Sequence, residues 1–142
     1  LLENWILKNS ANFDFKIGVG RIFNYYTPSN KNFFINDVIN KLKSKKKNIS
    51  FVSVDTYRDY INNKDLLKAI HFMLINKLQN DFNICSGKKI SLKKIIHTIN
   101  LKYKKKINFI DTKNKNLVGD NSKIKKMGFK FNYKFNLDEI TK

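Results

Sequence analysis

Hydrophobic positions along the chain alternate between a helical period near 3.6 and a strand period of two. Leu2, Trp5 and Ile6 stand at i, i+3 and i+4 and predict the end of an amphipathic helix over Leu1 to Asn9. Phe15 to Phe23 reads as a strand, with Phe15, Ile17, Val19 and Phe23 on one face and Gly18, Gly20 and Ile22 on the other. Glycines inside a strand mark close approach of another backbone or of a ligand. A turn follows at Pro28-Ser29-Asn30, then a helix carried by Ile35, Val38, Ile39 and Leu42. Ile49 to Val54 is a short strand, followed by the segment Arg58-Asp59-Tyr60-Ile61. Asn62 or Asn63 caps a helix that places Leu66, Leu67, Ile70, Met73, Leu74 and Leu78 on one side.

Phe82 to Cys85 is a strand that ends at Ser86-Gly87, and Ser91 caps a helix with Leu92, Ile95, Ile96 and Ile99 inward. Ile107 to Ile110 gives a last strand, Ser122 to Met127 a short helix stopped by Gly128, and Leu137 to Thr141 a final helical turn. Strand and helix periods alternating in this way predict an α/β architecture. The strands are too few for a complete doubly wound sheet. No Gly-x-Gly-x-x-Gly or Gly-x-x-x-x-Gly-Lys-Ser/Thr loop occurs, so the chain builds no phosphate loop of those kinds. Its elements are those of a larger sheet.

Composition adds little to the fold but raises a question about charge. The 142 residues, 42% of them hydrophobic, suffice for one globular domain with a real core. No apolar run reaches the roughly 20 residues of a membrane helix, and no membrane partner is expected. The opening Leu1-Leu2-Glu3-Asn4-Trp5 has no initiator Met and no signal-peptide pattern, as expected of a fragment. Cys85 is the single cysteine, which fits a reducing, cytoplasmic setting. The formal charge is +18, yet only Arg21 and Arg58 are arginines. Lysines spread among many Asn and Ile point to solvated faces rather than to sequence-reading contacts with nucleic acid, which draw on arginine. Lys41 to Lys47 is the densest basic patch, but no aromatic residues interleave there as a single-strand stacking surface requires. A basic nucleic-acid-binding module therefore stands as an alternative, as does a non-catalytic interaction domain.

Candidate chemistry is sparse. His71 and His97 lie 26 residues apart, and no His-x-x-x-His or Cys-x-x-Cys pair offers metal-ligand spacing, so no metal is expected. No Gly-x-Ser-x-Gly elbow occurs, Cys85 falls in an apolar strand, and the 11 acids are scattered singly. No catalytic residue is assigned.

Five short segments, in order, carry a resemblance. Arg21-Ile22-Phe23-Asn24-Tyr25-Tyr26-Thr27-Pro28, Phe34-Ile35-Asn36-Asp37-Val38, and Arg58-Asp59-Tyr60-Ile61 with Lys64 to Ile70 come first. Phe82 to Lys88 with Ser91 to Ile96, and Gly119 to Ile124 with Met127-Gly128-Phe129, complete the set. Together they resemble extended short-chain dehydrogenases/reductases of the NAD-dependent epimerase/dehydratase family, in particular the GDP-mannose 4,6-dehydratase and GDP-4-keto-6-deoxymannose reductase type. The match spans about Ile17 to Ile140.

The resemblance implies the C-terminal part of a Rossmann-type sheet plus a small α/β substrate-binding domain. Residues 1–30 would supply a late Rossmann helix and strand, and residues 31–142 mainly the substrate-binding part, with a returning Rossmann strand near 82–86. It implies NAD or NADP as cofactor, held largely by sequence upstream, and a nucleoside-diphosphate sugar as substrate. Arg58 would reach the diphosphate, Asn24 would bond sugar or phosphate oxygens, and Ile22 and Phe23 would pass close to the nicotinamide. Asp120-Asn121-Ser122 reads more simply as a helix N-cap, and Cys85-Ser86-Gly87 as a turn. The competing reading of Arg58 is a surface arginine paired with Asp59.

The family's catalytic Tyr-x-x-x-Lys would lie just upstream of Leu1. Thr27 stands where the family has Gly, Tyr25-Tyr26 where the reductases have His-Thr, and a second phosphate-binding arginine is replaced at best by Lys113 or Lys115. The first helix falls in a region such enzymes use for dimer contacts, so a homodimer of the whole protein is expected.

Overall fold

The structure is a computed structural model that describes residues 2–27, 33–112, 115–132, 134–136 and 140. Helix α1 (Leu2–Lys8) and a 3-10 turn (Ser10–Asn12) lead into strand β1 (Gly18–Ile22) and the short strand β2 (Asn24–Tyr25). Helix α2 (Phe34–Lys43), strands β3 (Asn48–Val52) and β4 (Tyr57–Ile61), and helix α3 (Asn63–Ile75) follow. Then come β5 (Asn80–Ile84), β6 (Lys89–Ser91), α4 (Leu92–Tyr103), β7 (Lys106–Ile110) and α5 (Ser122–Lys126). The turn expected at Pro28-Ser29-Asn30 and most of the helical turn expected over Leu137 to Thr141 lie outside the described residues; Ile140 is helical and buried.

Three small sheets arise. β1 pairs in parallel with β5, from Gly18 against Asn80 to Ile22 against Ile84. β3 pairs in parallel with β7, and β4 stands between parallel β2 and antiparallel β6. Parallel neighbours need long crossovers, and α2, α3 and α4 provide them. The expected α/β architecture is what folds.

The helix caps follow the sequence chemistry. Asn62 accepts from the Lys64 N–H at 2.9 Å, and Ser91 accepts from the Lys94 N–H at 3.4 Å. Helix α4 buries Leu92, Ile95, Ile96 and Ile99, which pack with Ile35, Val38 and Leu42 of α2 and with Ile49 and Phe51 of β3. A second core joins Ile61, Leu66, Ala69, Phe82, Ile84, Ile124 and Phe129.

Several boundaries differ from the sequence expectation. The strand expected from Phe15 begins only at Gly18, and Phe15 is 65% exposed, because pairing with β5 starts at Gly18. Val54 lies beyond β3, which ends where Ser53 takes a φ of 61°. Arg58 to Ile61, left without a secondary structure by the pattern, forms β4 together with Tyr57. The expected apolar side of α3 splits in two. Asp65, Leu66 and Ala69 turn inward, whereas Leu67 and Leu74 are 67% and 70% exposed. The stripe is wider than the core it faces, so its outer edge borders a groove of about 530 Å3 beside Gly18, Gly20 and Ile22.

The glycines of β1 answer to packing. A Cβ on Gly18 would collide with the Leu78 carbonyl oxygen, and one on Gly20 would come within 2.8 Å of Ile84 Cδ1. The close approach expected there is that of the chain leaving α3.

Candidate functional site

Strand β4 places Arg58 half-buried beside the loop that carries Leu117. Its Nη1 donates to Thr56 Oγ1 and the Lys115 carbonyl, both at 2.8 Å, and to the Tyr57 carbonyl at 3.0 Å. Those acceptors fix the guanidinium plane through one nitrogen. Nε and Nη2 make no bond among the described residues, and that edge can take an anion through two parallel N–H donors. Arg58 is not paired with Asp59, contrary to the competing reading. Neighbouring strand residues point to opposite faces, so the two side chains leave β4 in opposite directions.

Asp59, in the sequence only a member of the Arg58-Asp59-Tyr60-Ile61 segment, joins three parts of the fold. Its carboxylate has no exposed surface. It accepts from the Ser86 N–H at 2.8 Å, the Ser86 hydroxyl at 2.7 Å, the Gly87 N–H at 2.8 Å and the Gly119 N–H at 3.3 Å. Four donors meet the requirement that a buried charge be matched by hydrogen bonds. One carboxylate thereby joins β4, the turn after β5 and the 115–120 loop. The backbone of Asp59 works in the same place: its N–H donates to the Leu117 carbonyl at 3.0 Å, and its carbonyl accepts from Asn24 Nδ2, also at 3.0 Å.

Asn24 is therefore held on β2 by the residue next to Arg58, with its amide oxygen and second N–H still available among the described residues. It lines a cavity of about 610 Å3 together with Ile22, Phe23, Phe34, Tyr60 and Leu117. Arg58 does not line this cavity. Leu117 links the two, since it pairs with Arg58 and forms part of the cavity wall. Ile22 is 47% exposed at the cavity edge. Phe23 is half-buried and its ring packs inward: a Cβ on Gly119 would meet its Cζ at 2.8 Å. For a flat cofactor ring, Ile22 is thus an available apolar contact, while Phe23 supports the Gly119 loop from behind. Lys115 contributes its carbonyl to Arg58 and its side chain is exposed; Lys113 lies outside the described residues.

The Asn121 side chain does not cap α5. Its Nδ2 donates to the Cys85 carbonyl at 2.8 Å in a buried contact, and the Asp120 carboxylate instead accepts from the Ser122 N–H at 2.9 Å. That bond holds the Asp120 carboxyl below its ordinary range. Burial, with Asp59 nearby, pushes the Cys85 thiol up to about 12, which makes it a packed, inert thiol at neutral pH.

One Tyr-x-x-x-Lys spacing does occur in the chain, from Tyr60 to Lys64. Two residues four apart share a face when both lie in one helix or one strand, and these two do not. Tyr60 is on β4 and Lys64 in the first turn of α3, across the Asn62 cap. Tyr60 is 3% exposed and stacked on Phe135 with ring centroids 4.9 Å apart. Burial pushes its hydroxyl up to about 12, the wrong direction for a proton-transfer group at neutral pH. His71 and His97 are both exposed, His97 edge-on to Phe109, and no group of His, Cys, Asp or Glu able to hold a metal exists among the described residues.

No curated protein sequence matches the chain. Solved structures do match. RMD from Pseudomonas aeruginosa, complexed with NADPH, superposes with a TM-score of 0.80 at 16% identity over 98% of this chain and 50% of its own. dTDP-glucose 4,6-dehydratase from Bacillus anthracis str. Ames, in complex with NAD, gives 0.78 at 19% identity over 97% and 47%. UDP-N-acetylglucosamine 4-epimerase from Methanobrevibacter ruminantium M1, in complex with UDP-N-acetylmuramic acid, gives 0.78 at 18% over 98% and 48%. These likenesses establish the fold, and the chain spans about half the length of the structures it matches. The sequence model of the GDP-mannose 4,6 dehydratase family matches residues 1–139, and the chain belongs to that family.

Proposed function

We propose that this chain is the part of an NAD(P)-dependent sugar-nucleotide epimerase, dehydratase or reductase that binds the nucleoside-diphosphate sugar. The carrying observation is the fixed guanidinium of Arg58, anchored through Nη1 with its other edge open, one strand away from Asn24. In this reading the Nε–Nη2 edge takes the diphosphate and Asn24 takes a hydroxyl or phosphate oxygen inside the adjoining cavity. Ile22 forms an apolar wall for the nicotinamide, and Phe23 backs the Gly119 loop. Bound NAD(P) would supply hydride transfer at the sugar. The residues here bind and orient the substrate, and the proton-transfer pair belongs to sequence outside them. Residues 1–30, with the returning strand expected near 82–86 and found at β5 (Asn80–Ile84), extend the cofactor-binding sheet, and the parallel pairing of β1 with β5 supports that division. Leu2 and Trp5, 72% and 58% exposed on α1, support a dimer contact along that helix.

The test uses the complete protein. Calorimetric titration with a nucleoside-diphosphate sugar should give at least a roughly tenfold weaker Kd for Arg58→Ala, with NAD(P) affinity unchanged. Arg58→Lys should recover only part of the loss, because an ammonium cannot present the planar fork. Equal losses for both ligands would remove the diphosphate role, and a complete protein that binds no NAD(P) would overturn the assignment.

A further inference from the structure

The densest run of lysines in the sequence, Lys41 to Lys47, is not where the fold concentrates positive charge in a concave site. A cleft of about 860 Å3 lies between the start of β6, the first turns of α4, α5 and the 131–136 segment. Five lysines line it: Lys88, Lys89, Lys94, Lys125 and Lys134. Among the described residues, no Asp or Glu lines it and none of the five enters an ion pair. Six of the 11 acids are engaged elsewhere. Glu3 and Asp81 hold Arg21, Asp55 and Asp111 hold Lys93, and Asp59 is saturated by backbone donors. Asp120, which feels the charge of Lys125, is bonded to Ser122.

Aromatic faces set the position of two of these ammonium groups. Lys89 Nζ sits 5.5 Å above the Tyr57 ring and Lys125 Nζ 5.9 Å above Phe131. Ser91 and Thr98 also line the cleft, as does Lys94 in the first turn of α4. Like charges gathered on low-dielectric walls repel one another unless an anion joins them, and a concave wall focuses their field on whatever enters. The volume is that of a small-ligand site, about 300–1,000 Å3, rather than of an extended groove that tracks a strand.

We infer that this cleft binds a small polyphosphate anion, at a site separate from Arg58, whose guanidinium is directed to Thr56 and Lys115 instead. Inorganic triphosphate titrated into the protein and followed by 31P NMR is the test. The expected result is saturable binding that weakens roughly tenfold or more in Lys89→Gln/Lys94→Gln/Lys125→Gln, with each single variant showing part of that loss. Lys45→Gln/Lys46→Gln/Lys47→Gln removes the same charge from the open surface and should change binding less than about twofold, since exposed charges beyond about 10 Å are screened at 0.1 M salt. All of these variants are made in an Arg58→Ala background, which removes the diphosphate-binding edge from the measurement. Equal loss in the two triple variants would mean diffuse attraction and overturn the site, as would absence of saturation. Tighter binding of a single-stranded oligonucleotide with the same lysine dependence would replace the small anion with nucleic acid.

Discussion

Asp59 and Ser86, 27 residues apart, share a double hydrogen bond in which one fully buried carboxylate oxygen takes both the backbone N–H and the hydroxyl of the serine. The other oxygen takes Gly87 and Gly119. The carboxylate therefore stands in for backbone pairing at the point where β5 gives way to β6 and where the 115–120 loop crosses β4.

Removing that carboxylate should take the acceptor from the N–H groups of Ser86, Gly87 and Gly119 at once. Asp59→Ala is expected to lower unfolding free energy by about 3 kcal/mol or more, and Ser86→Ala by about 1 kcal/mol, because the first removes four bonds to a charged acceptor and the second only the hydroxyl bond. Urea denaturation followed by circular dichroism measures both. If the two variants lost equal stability, the shared-acceptor role of Asp59 would be wrong.

Gly18→Ala and Gly119→Ala should both destabilise, for steric rather than conformational reasons. The Gly18 clash is with the Leu78 backbone oxygen, which cannot swing away, whereas Gly119 is crowded by the side chains of Cys85 and Phe23. Thermal melts should therefore show partial recovery of Gly119→Ala by Cys85→Ala, and no recovery of Gly18→Ala by any side-chain trimming at residue 73. Overpacking of this kind costs about 1–3 kcal/mol.

Cys85 and Tyr60 set an alkaline limit. Burial raises the thiol from an ordinary 9.0, and the phenol from 10.0, to about 12 each. The folded chain keeps protons that the unfolded chain releases, so the stability is complete below about pH 9 and falls as pH rises toward 12. The slope is up to about 1.4 kcal/mol per pH unit for each group. Denaturation midpoints measured from pH 8 to 11 check the sign. A thiol reagent at pH 8 should label Cys85 only when the protein unfolds.

The core and the surface ion pairs should differ sharply in effect. Ile96→Ala, at a position with no exposed surface, should cost about 2–5 kcal/mol. Glu3→Gln, which removes an exposed partner of Arg21, should cost less than about 1 kcal/mol, with Asp81 still in place. Chemical denaturation of the two variants side by side gives the comparison.

Much of the fold can be read along the chain because it depends on near neighbours. The Asn62 and Ser91 caps, the buried face of α4 and the stop at Gly128, where φ is 99°, all follow from residues within one or two helical turns. Arg58 and Asn24 were reachable through the order of short motifs. Their environment was not, since Thr56, Lys115 and the Asp59 carbonyl reach them through strand pairing rather than sequence proximity. A cue for Asp59 did exist. An acid at the centre of Tyr57 to Ile61, a strand-like run whose buried face is also held by Ile61, requires donors, and Ser86-Gly87 and Gly119 are small residues suited to give them.

The sequence by itself determined helices α1 to α5, strands β1, β3, β5 and β7, and the family, because periodicity, capping and short motifs are local properties. Tertiary structure alone decided that Asp59 faces away from Arg58, that Tyr60 and Lys64 form no working pair, and that the lysines form a cleft at Lys88, Lys89, Lys94, Lys125 and Lys134 rather than at the Lys41 to Lys47 run. Those outcomes depend on which strands pair and on which faces lose contact with water, and both bring together groups tens of residues apart.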